Sequence, residues 1–264
     1  MKLNLVYRIL LGVVFIPVIL LLFYLGGWFL MLFLFIVVGL QSYELKKLFS
    51  NKNVHVPNII IPLNLLFLIS FALKLNIIAP AIVLFTILLL FLIELIKKRM
   101  GRIINTVSAS LFIMFYSSLL LSFIYSIRLL ENGRALLMSL MILIWITDTA
   151  AYFSGSYLGS KRNIIAASPG KSLEGFIGGL IGGIGGAFIC GYFCHFSTTD
   201  VILLGISTGI FGQFGDLMES LIKRDFGVKD SSHILPGHGG ILDRFDSLTI
   251  AAPVFYVIYK LLGI

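Results

Sequence analysis

The strongest constraint on this chain is a succession of about nine apolar runs, each near the roughly 20 residues a helix needs to cross a bilayer. They fall near residues 8–24, 27–43, 57–73, 77–95, 105–127, 135–154, 174–194, 200–221 and 247–262. Of 264 residues, 59% are hydrophobic and 12% charged, where an ordinary soluble domain carries roughly 25% charged residues. A soluble core of this size cannot hide so much apolar surface, so lipid must cover much of it. The predicted fold class is therefore all-α, a polytopic membrane protein. The first two runs are parted only by Leu25, Gly26 and Gly27. As one helix they would reach about 54 Å at 1.5 Å per residue, too long for one crossing, so a tight hairpin is expected there.

Charge tests the layout. If the N-terminus lies with the loops after the second, fourth, sixth and eighth runs, only Lys74, Arg128, Arg134 and Lys260 fall on the opposite side. The other sixteen of the 20 lysines and arginines share the N-terminal side, which the positive-inside rule makes cytoplasmic. The same bias explains the net charge of +8 better than nucleic-acid binding does, since no basic arm interleaved with aromatics is present. The N-terminal run has no small-residue cleavage site after it and reads as an uncleaved helix. Cys190 and Cys194, four apart in one apolar run, read as two small buried hydrophobes, with no second pair to suggest zinc or a disulfide framework. His55 and His195 read as incidental.

Residues 1–130 hold little beyond apolar helices and short basic loops and read as structural and lipid-facing. Residues 131–264 carry the charged and glycine-rich features and read as the catalytic region. In the seventh run Gly175, Gly179 and Gly183 recur every four residues, as do Gly178, Gly182 and Gly186. Small residues at that spacing let helices approach closely in lipid.

The most informative stretch runs from Asp216 to Asp246. Asp216, Ser220 and Lys223 share one face of a helix, and Asp243 and Asp246 share another where the last helix begins. Ionisable groups at membrane depth are costly and mark sites or water-filled cavities. Carboxylates suit a hard cation such as Mg²⁺ that also holds substrate phosphates. Lys223, Arg224, Lys229 and Arg244 interleave with the acids and suit phosphate oxygens. The turn holding His238, Gly239 and Gly240 offers backbone N–H groups to an anion. Together these describe a metal–polyphosphate site. For His238 and His233 a role as polar contact is favoured over general base, because a phosphate nucleophile is already ionised. A second cluster comprises Asp148 with Tyr152 one turn later, then Ser168, Lys171 and Ser172 before the seventh helix, whose N-terminus favours anions. Glu174 either joins this cluster or complements the helix dipole.

Ser220, Ile222, Lys223 and Arg224, then Lys229, Asp230 and Ser232, then Leu235, Pro236, His238, Gly239, Gly240, Ile241, Asp243, Arg244, Phe245 and Asp246 form a 27-residue pattern. It resembles the signature of the phosphatidate cytidylyltransferases (CDP-diacylglycerol synthases), and the 148–175 cluster resembles that family's other motif region. Many members have Ser-Pro-Lys-Lys-Thr-Trp-Glu-Gly there, whereas this chain has Gly170, Ser172 and Leu173 and keeps only Lys171 of the basic pair. The resemblance implies CMP transfer from CTP to phosphatidic acid in phospholipid biosynthesis, with release of pyrophosphate. It implies Mg²⁺ dependence with Asp243 and Asp246 as prime ligands and Asp216 close by, a second cation such as K⁺, a homodimer and a place in the cell membrane. The rival readings are a CTP-dependent polyprenol or lipid kinase and an ion-coupled transporter. The kinase would release CDP; the transporter would show inverted repeats of broken helices.

Overall fold

The computed structural model describes residues 2–98, 101–160, 166–232, 234 and 239–263, with side chains from Val14 onward. Nine helical rods run through these residues, with no strand among them: α1 Lys2–Leu25, α2 Gly27–Asn51, α3 Ile60–Ala72, α4 Ile78–Ile96, α5 Ile103–Arg128, α6 Gly133–Leu158, α7 Leu173–Cys194, α8 Thr198–Asp225 and α9 Leu242–Leu261. Six of these, α2 and α4 to α8, are long and apolar enough to cross a membrane. Each expected run falls on one of these rods, and six of them have the length and composition of a membrane span among the described residues. The described part of α1 and the 13-residue α3 are shorter apolar helices, and α9 starts with the charged Asp243, Arg244 and Asp246. The chain is an all-α, multi-pass membrane protein.

The predicted hairpin between α1 and α2 is present. Gly26 and Gly27 both take positive φ, 64° and 51°, a region that glycine enters without steric cost. Arg128 at the end of α5 locks the corner: its guanidinium donates to the Phe23 and Tyr24 carbonyls, each at 3.1 Å. These carbonyls, at the C-terminal end of α1, have no intrahelical partners of their own. Lipid offers none either.

Inside the bundle the helices meet through small and polar residues. Ser42 of α2, Asn64 of α3 and Ser117 of α5 form a buried hydrogen-bonded knot, with Asn64 Nδ2 2.9 Å from Ser42 Oγ and the two serine hydroxyls 3.0 Å apart. Such interhelical bonds contribute about 0.6 kcal/mol each on average. Ser117 lies in a π-helical turn, Met114–Leu119, inside α5; a second, Ser207–Gly212, interrupts α8.

Both glycine stripes of α7 are packing surfaces. A side chain at Gly178, Gly182 or Gly186 would strike Ser154, Ala150 or Leu143 of α6. One at Gly179 or Gly183 would strike Gln213 or Gly209 of α8. α7 is therefore wedged between α6 and α8, the helices that carry Asp148 and Asp216. Cys190 and Cys194 are free, and Cys194 is exposed on the outer face rather than buried.

A substitution pair tests this packing. Gly182→Val, whose Cβ would lie 2.5 Å from that of Ala150, should destabilise the folded protein by about 1–3 kcal/mol, read as a lowered thermal transition in detergent. Gly185→Val, at a position with open space around it, should leave the transition unchanged.

Candidate active site

The charged groups meet because α6, α8, α9 and the segment leading into α7 line one cavity. α8 supplies Asp216, Glu219 and Lys223 along one face, since positions three and four apart are neighbours on a helix. α9 presents Asp243 and Asp246 in its first turns. Gly215 brings these two helices together: a Cβ there would collide with the Asp246 carbonyl and lie 3.0 Å from Ser247 Cα. The close approach places carboxylate oxygens of Asp216, Glu219 and Asp246 within 4.8 Å of one another.

Lys223 bridges the cluster to Asp243, its ammonium 2.5 Å from Glu219 Oε2 and 2.5 Å from Asp243 Oδ1. Glu219 is fully buried, and its Oε1 has no hydrogen-bond partner among the described residues. Asp243 is otherwise engaged. Its Oδ2 accepts from Ser231 Oγ at 2.8 Å, from Ser231 N at 3.2 Å and from Gly240 N at 2.8 Å. The anion-binding N–H of Gly240 is thus spent on the protein's own carboxylate. Gly239, at φ 82°, leaves room for Asp243, whose Oδ2 would lie 2.9 Å from a Cβ there.

The second motif region closes the site from α6 and α7. Lys171 Nζ donates to Asp216 Oδ2 at 2.6 Å, and Asp148 lies in the electrostatic field of both groups. Ser172 is spent on structure: it caps α7 by accepting from Gly175 N at 3.1 Å. Arg224 donates to the Ala167 carbonyl at 3.1 Å and to that of Val228 at 3.3 Å, tying the Lys171 segment to the end of α8. Ser168 is half-buried, and Lys229 and Arg244 are exposed. His238 lies outside the described residues, as does His233.

Two participants escaped the sequence reading. Glu219 is three residues from Asp216 and four from Lys223, and helical periodicity alone could have placed it on their face. Glu44 of α2, fully buried, accepts hydrogen bonds from Ser231, Ser232, Ile241 and Leu242. No local pattern in the sequence signals Glu44.

Asp148, Lys171, Asp216, Lys223, Asp243 and Asp246 open on a cavity of about 1050 Å³. One part of its wall is apolar, with Phe15, Ile16 and Ile19 of α1 facing Met141, Ile144 and Trp145 of α6. The other part is charged, with Asp148, Lys171, Asp216, Lys223, Asp243, Arg244 and Asp246. Such a cavity can accept a molecule that is apolar at one end and anionic at the other. A profile described as the Cytidylyltransferase family matches residues 6–262. The chain belongs to the cytidylyltransferase family. It is accordingly a nucleotidyltransferase. A Staphylococcus haemolyticus protein named phosphatidate cytidylyltransferase is 33% identical over 98% of each chain. A Staphylococcus saprophyticus protein of the same name shows 33% identity over the same shares. A Haemophilus influenzae protein of that name is 47% identical over 48% of this chain, a match spanning about half of that relative, 46% of its length.

The donor set fits a divalent cation. Two oxygens on one octahedral Mg²⁺ stand about 2.9 to 4.2 Å apart, given Mg–O distances near 2.1 Å. The spacing of Asp216, Glu219 and Asp246 needs little closing to meet that. Among the described residues, the carboxylates of Asp148, Asp216, Glu219, Asp243 and Asp246 gather around the ammonium groups of Lys171 and Lys223, and a divalent cation would offset the remaining negative charge.

Gly215→Ala tests the close approach of α8 and α9. The added methyl pushes Asp216 away from Asp246, and nucleotidyl transfer should fall about tenfold or more in kcat. Unchanged turnover would contradict the geometry.

Proposed function

We propose that this family member transfers CMP from CTP to phosphatidic acid, forming CDP-diacylglycerol and pyrophosphate in phospholipid biosynthesis. The observation that carries the reading is the cavity, apolar along α1 and α6 and densely charged where α8 meets α9. The acyl chains lie along the apolar wall, entering sideways from the bilayer, while the phosphate meets the charged wall. The names of the relatives that align over the whole chain support the same substrate pair.

A phosphate oxygen of the lipid attacks the α-phosphorus of CTP in line. The bond from that phosphorus to the α–β bridging oxygen breaks on the opposite side, and pyrophosphate leaves with the electron pair. The nucleophile is already ionised near neutral pH, so the residues align and neutralise rather than abstract a proton. Asp216, Glu219 and Asp246 would hold Mg²⁺, which would supply charge neutralisation to the CTP phosphates when bound. Asp243, with its oxygens on Lys223, Ser231 and Gly240, orients Lys223 toward phosphate rather than ligating the metal. Lys171 and Arg244 grip phosphate oxygens, with Ser168 and Lys229 as further contacts, and Arg224 holds the Lys171 segment in place. Asp148 steers Lys171.

Residues 131–264 supply these groups, and residues 1–130 supply the scaffold and part of the lipid wall. The distribution of lysine and arginine favours a cytoplasmic N-terminus and a site on the cytoplasmic face of the cell membrane. The resemblance extends the reading to a homodimer and to a second cation, K⁺.

The test is turnover of purified protein in mixed micelles with phosphatidic acid, Mg²⁺ and CTP labelled in its α-phosphate. Label should enter the lipid with release of pyrophosphate, EDTA should stop both, and Glu219→Gln should lower the rate about 100-fold. Release of CDP with a lipid alcohol as acceptor would replace this reading with a kinase.

A further inference from the structure

Glu44 sits two turns from the end of α2, outside every motif that marks the site, and its side chain is fully buried. No basic side chain pairs with it among the described residues. A buried carboxylate without a counter-ion costs several kcal/mol unless hydrogen bonds replace its water. Among the described residues, the donors it receives come from a single stretch, residues 231–242. Oε1 accepts from Ser232 Oγ at 2.5 Å and Ile241 N at 2.9 Å. Oε2 accepts from Leu242 N at 2.8 Å and Ser231 Oγ at 3.2 Å.

Two of these donors are backbone N–H groups at the start of α9, where a negative charge also complements the helix dipole. The other two hold the loop that leads there. Ser231 Oγ lies 2.8 Å from Asp243 Oδ2 and 3.2 Å from Glu44 Oε2, so its one proton is shared between the two carboxylates, with Asp243 the nearer acceptor. Gly240 fits the same arrangement: a Cβ there would collide with Ser231 Oγ and lie 2.6 Å from Glu44 Oε1. The glycine gives the loop the room that Glu44 needs. Each oxygen of Glu44 accepts one backbone N–H at the start of α9, so the carboxylate is committed to that helix start.

We propose that Glu44 is a positioning residue for nucleotidyl transfer, a buried anionic clasp that sets the start of α9 and so aims Asp246 at the acidic cluster and Asp243 at Lys223. The role rests on the active-site reading above. It assigns a function to the N-terminal half beyond lipid contact and scaffold, because the clasp comes from α2 and the groups it aims from α9. Glutamine cannot replace it, since each oxygen accepts a backbone N–H and an amide would turn its own NH₂ toward one of them.

The experiment measures Mn²⁺ binding to the full chain in detergent by electron paramagnetic resonance, alongside kcat and the KM for CTP, in wild type, Glu44→Gln and Ser232→Ala. Glu44→Gln should weaken Mn²⁺ binding about tenfold, lower kcat about 30-fold and raise the KM for CTP several-fold. Ser232→Ala, which removes the shortest bond to the clasp, should weaken Mn²⁺ binding about threefold. A purely structural anchor would reduce the folded fraction while the remaining protein kept wild-type Mn²⁺ affinity and KM, and that result overturns the proposal. If Glu44→Gln shows no cooperative thermal transition, unchanged Mn²⁺ affinity and KM in Ser232→Ala overturn it instead. If wild type binds no Mn²⁺, the metal reading fails alone, and the KM for CTP decides: a KM unchanged in both variants overturns the role of Glu44, and a raised KM upholds it.

Discussion

The ammonium of Lys223 joins two helices that would otherwise repel. It lies 2.5 Å from Glu219 on its own helix and 2.5 Å from Asp243 on α9, with little water around any of the three. Removing one partner from such a buried set leaves an uncompensated charge, at a cost of about 3–5 kcal/mol. The pair of bonds also has a direction. It leaves Glu219 Oε1 and the carboxylates of Asp216 and Asp246 facing one another, with the Lys171 ammonium on Asp216 Oδ2 offsetting part of their charge. A site so arranged is poised for a cation and, with that cation, for polyphosphate. The stability of this end of the bundle and its chemistry are two aspects of the same charge balance.

Close approach makes that balance attainable. In lipid, helices gain little from apolar contact with each other, so small residues and interhelical hydrogen bonds decide where they meet. Gly215 admits the backbone of Asp246, the glycines of α7 admit α6 on one side and α8 on the other, and Gly240 admits Glu44. Each contact sits within a few residues of a charged group at the site. The glycine-rich character of the second half is therefore how carboxylates on separate helices come within one cation's reach.

Much of this was legible in the sequence, and the limits have physical causes. The apolar runs became helices because lipid forces backbone groups to pair within each helix. The span near residues 27–43 was too short, since it ended at the first charges, whereas α2 continues to Asn51 through Glu44, Lys46 and Lys47 in a run of good helix formers. That extension hid Glu44, whose partners lie almost two hundred residues away and leave no local trace. Glu219 was overlooked for Ser220, although both share a face with Lys223; only packing against α9 separates them. Asp243 and Asp246 look equivalent at three-residue spacing. The loop that donates to Asp243 but not to Asp246 makes them different.

The central claim is that Asp216, Glu219 and Asp246 form the metal centre of the transfer site, with Asp243 serving Lys223 instead. Crystals of the protein soaked in Mn²⁺ and measured at the manganese edge test it most directly. The account predicts an anomalous peak within about 2.2 Å of an oxygen from each of Asp216, Glu219 and Asp246. A peak ligated by Asp243 with Glu219 left aside would contradict it.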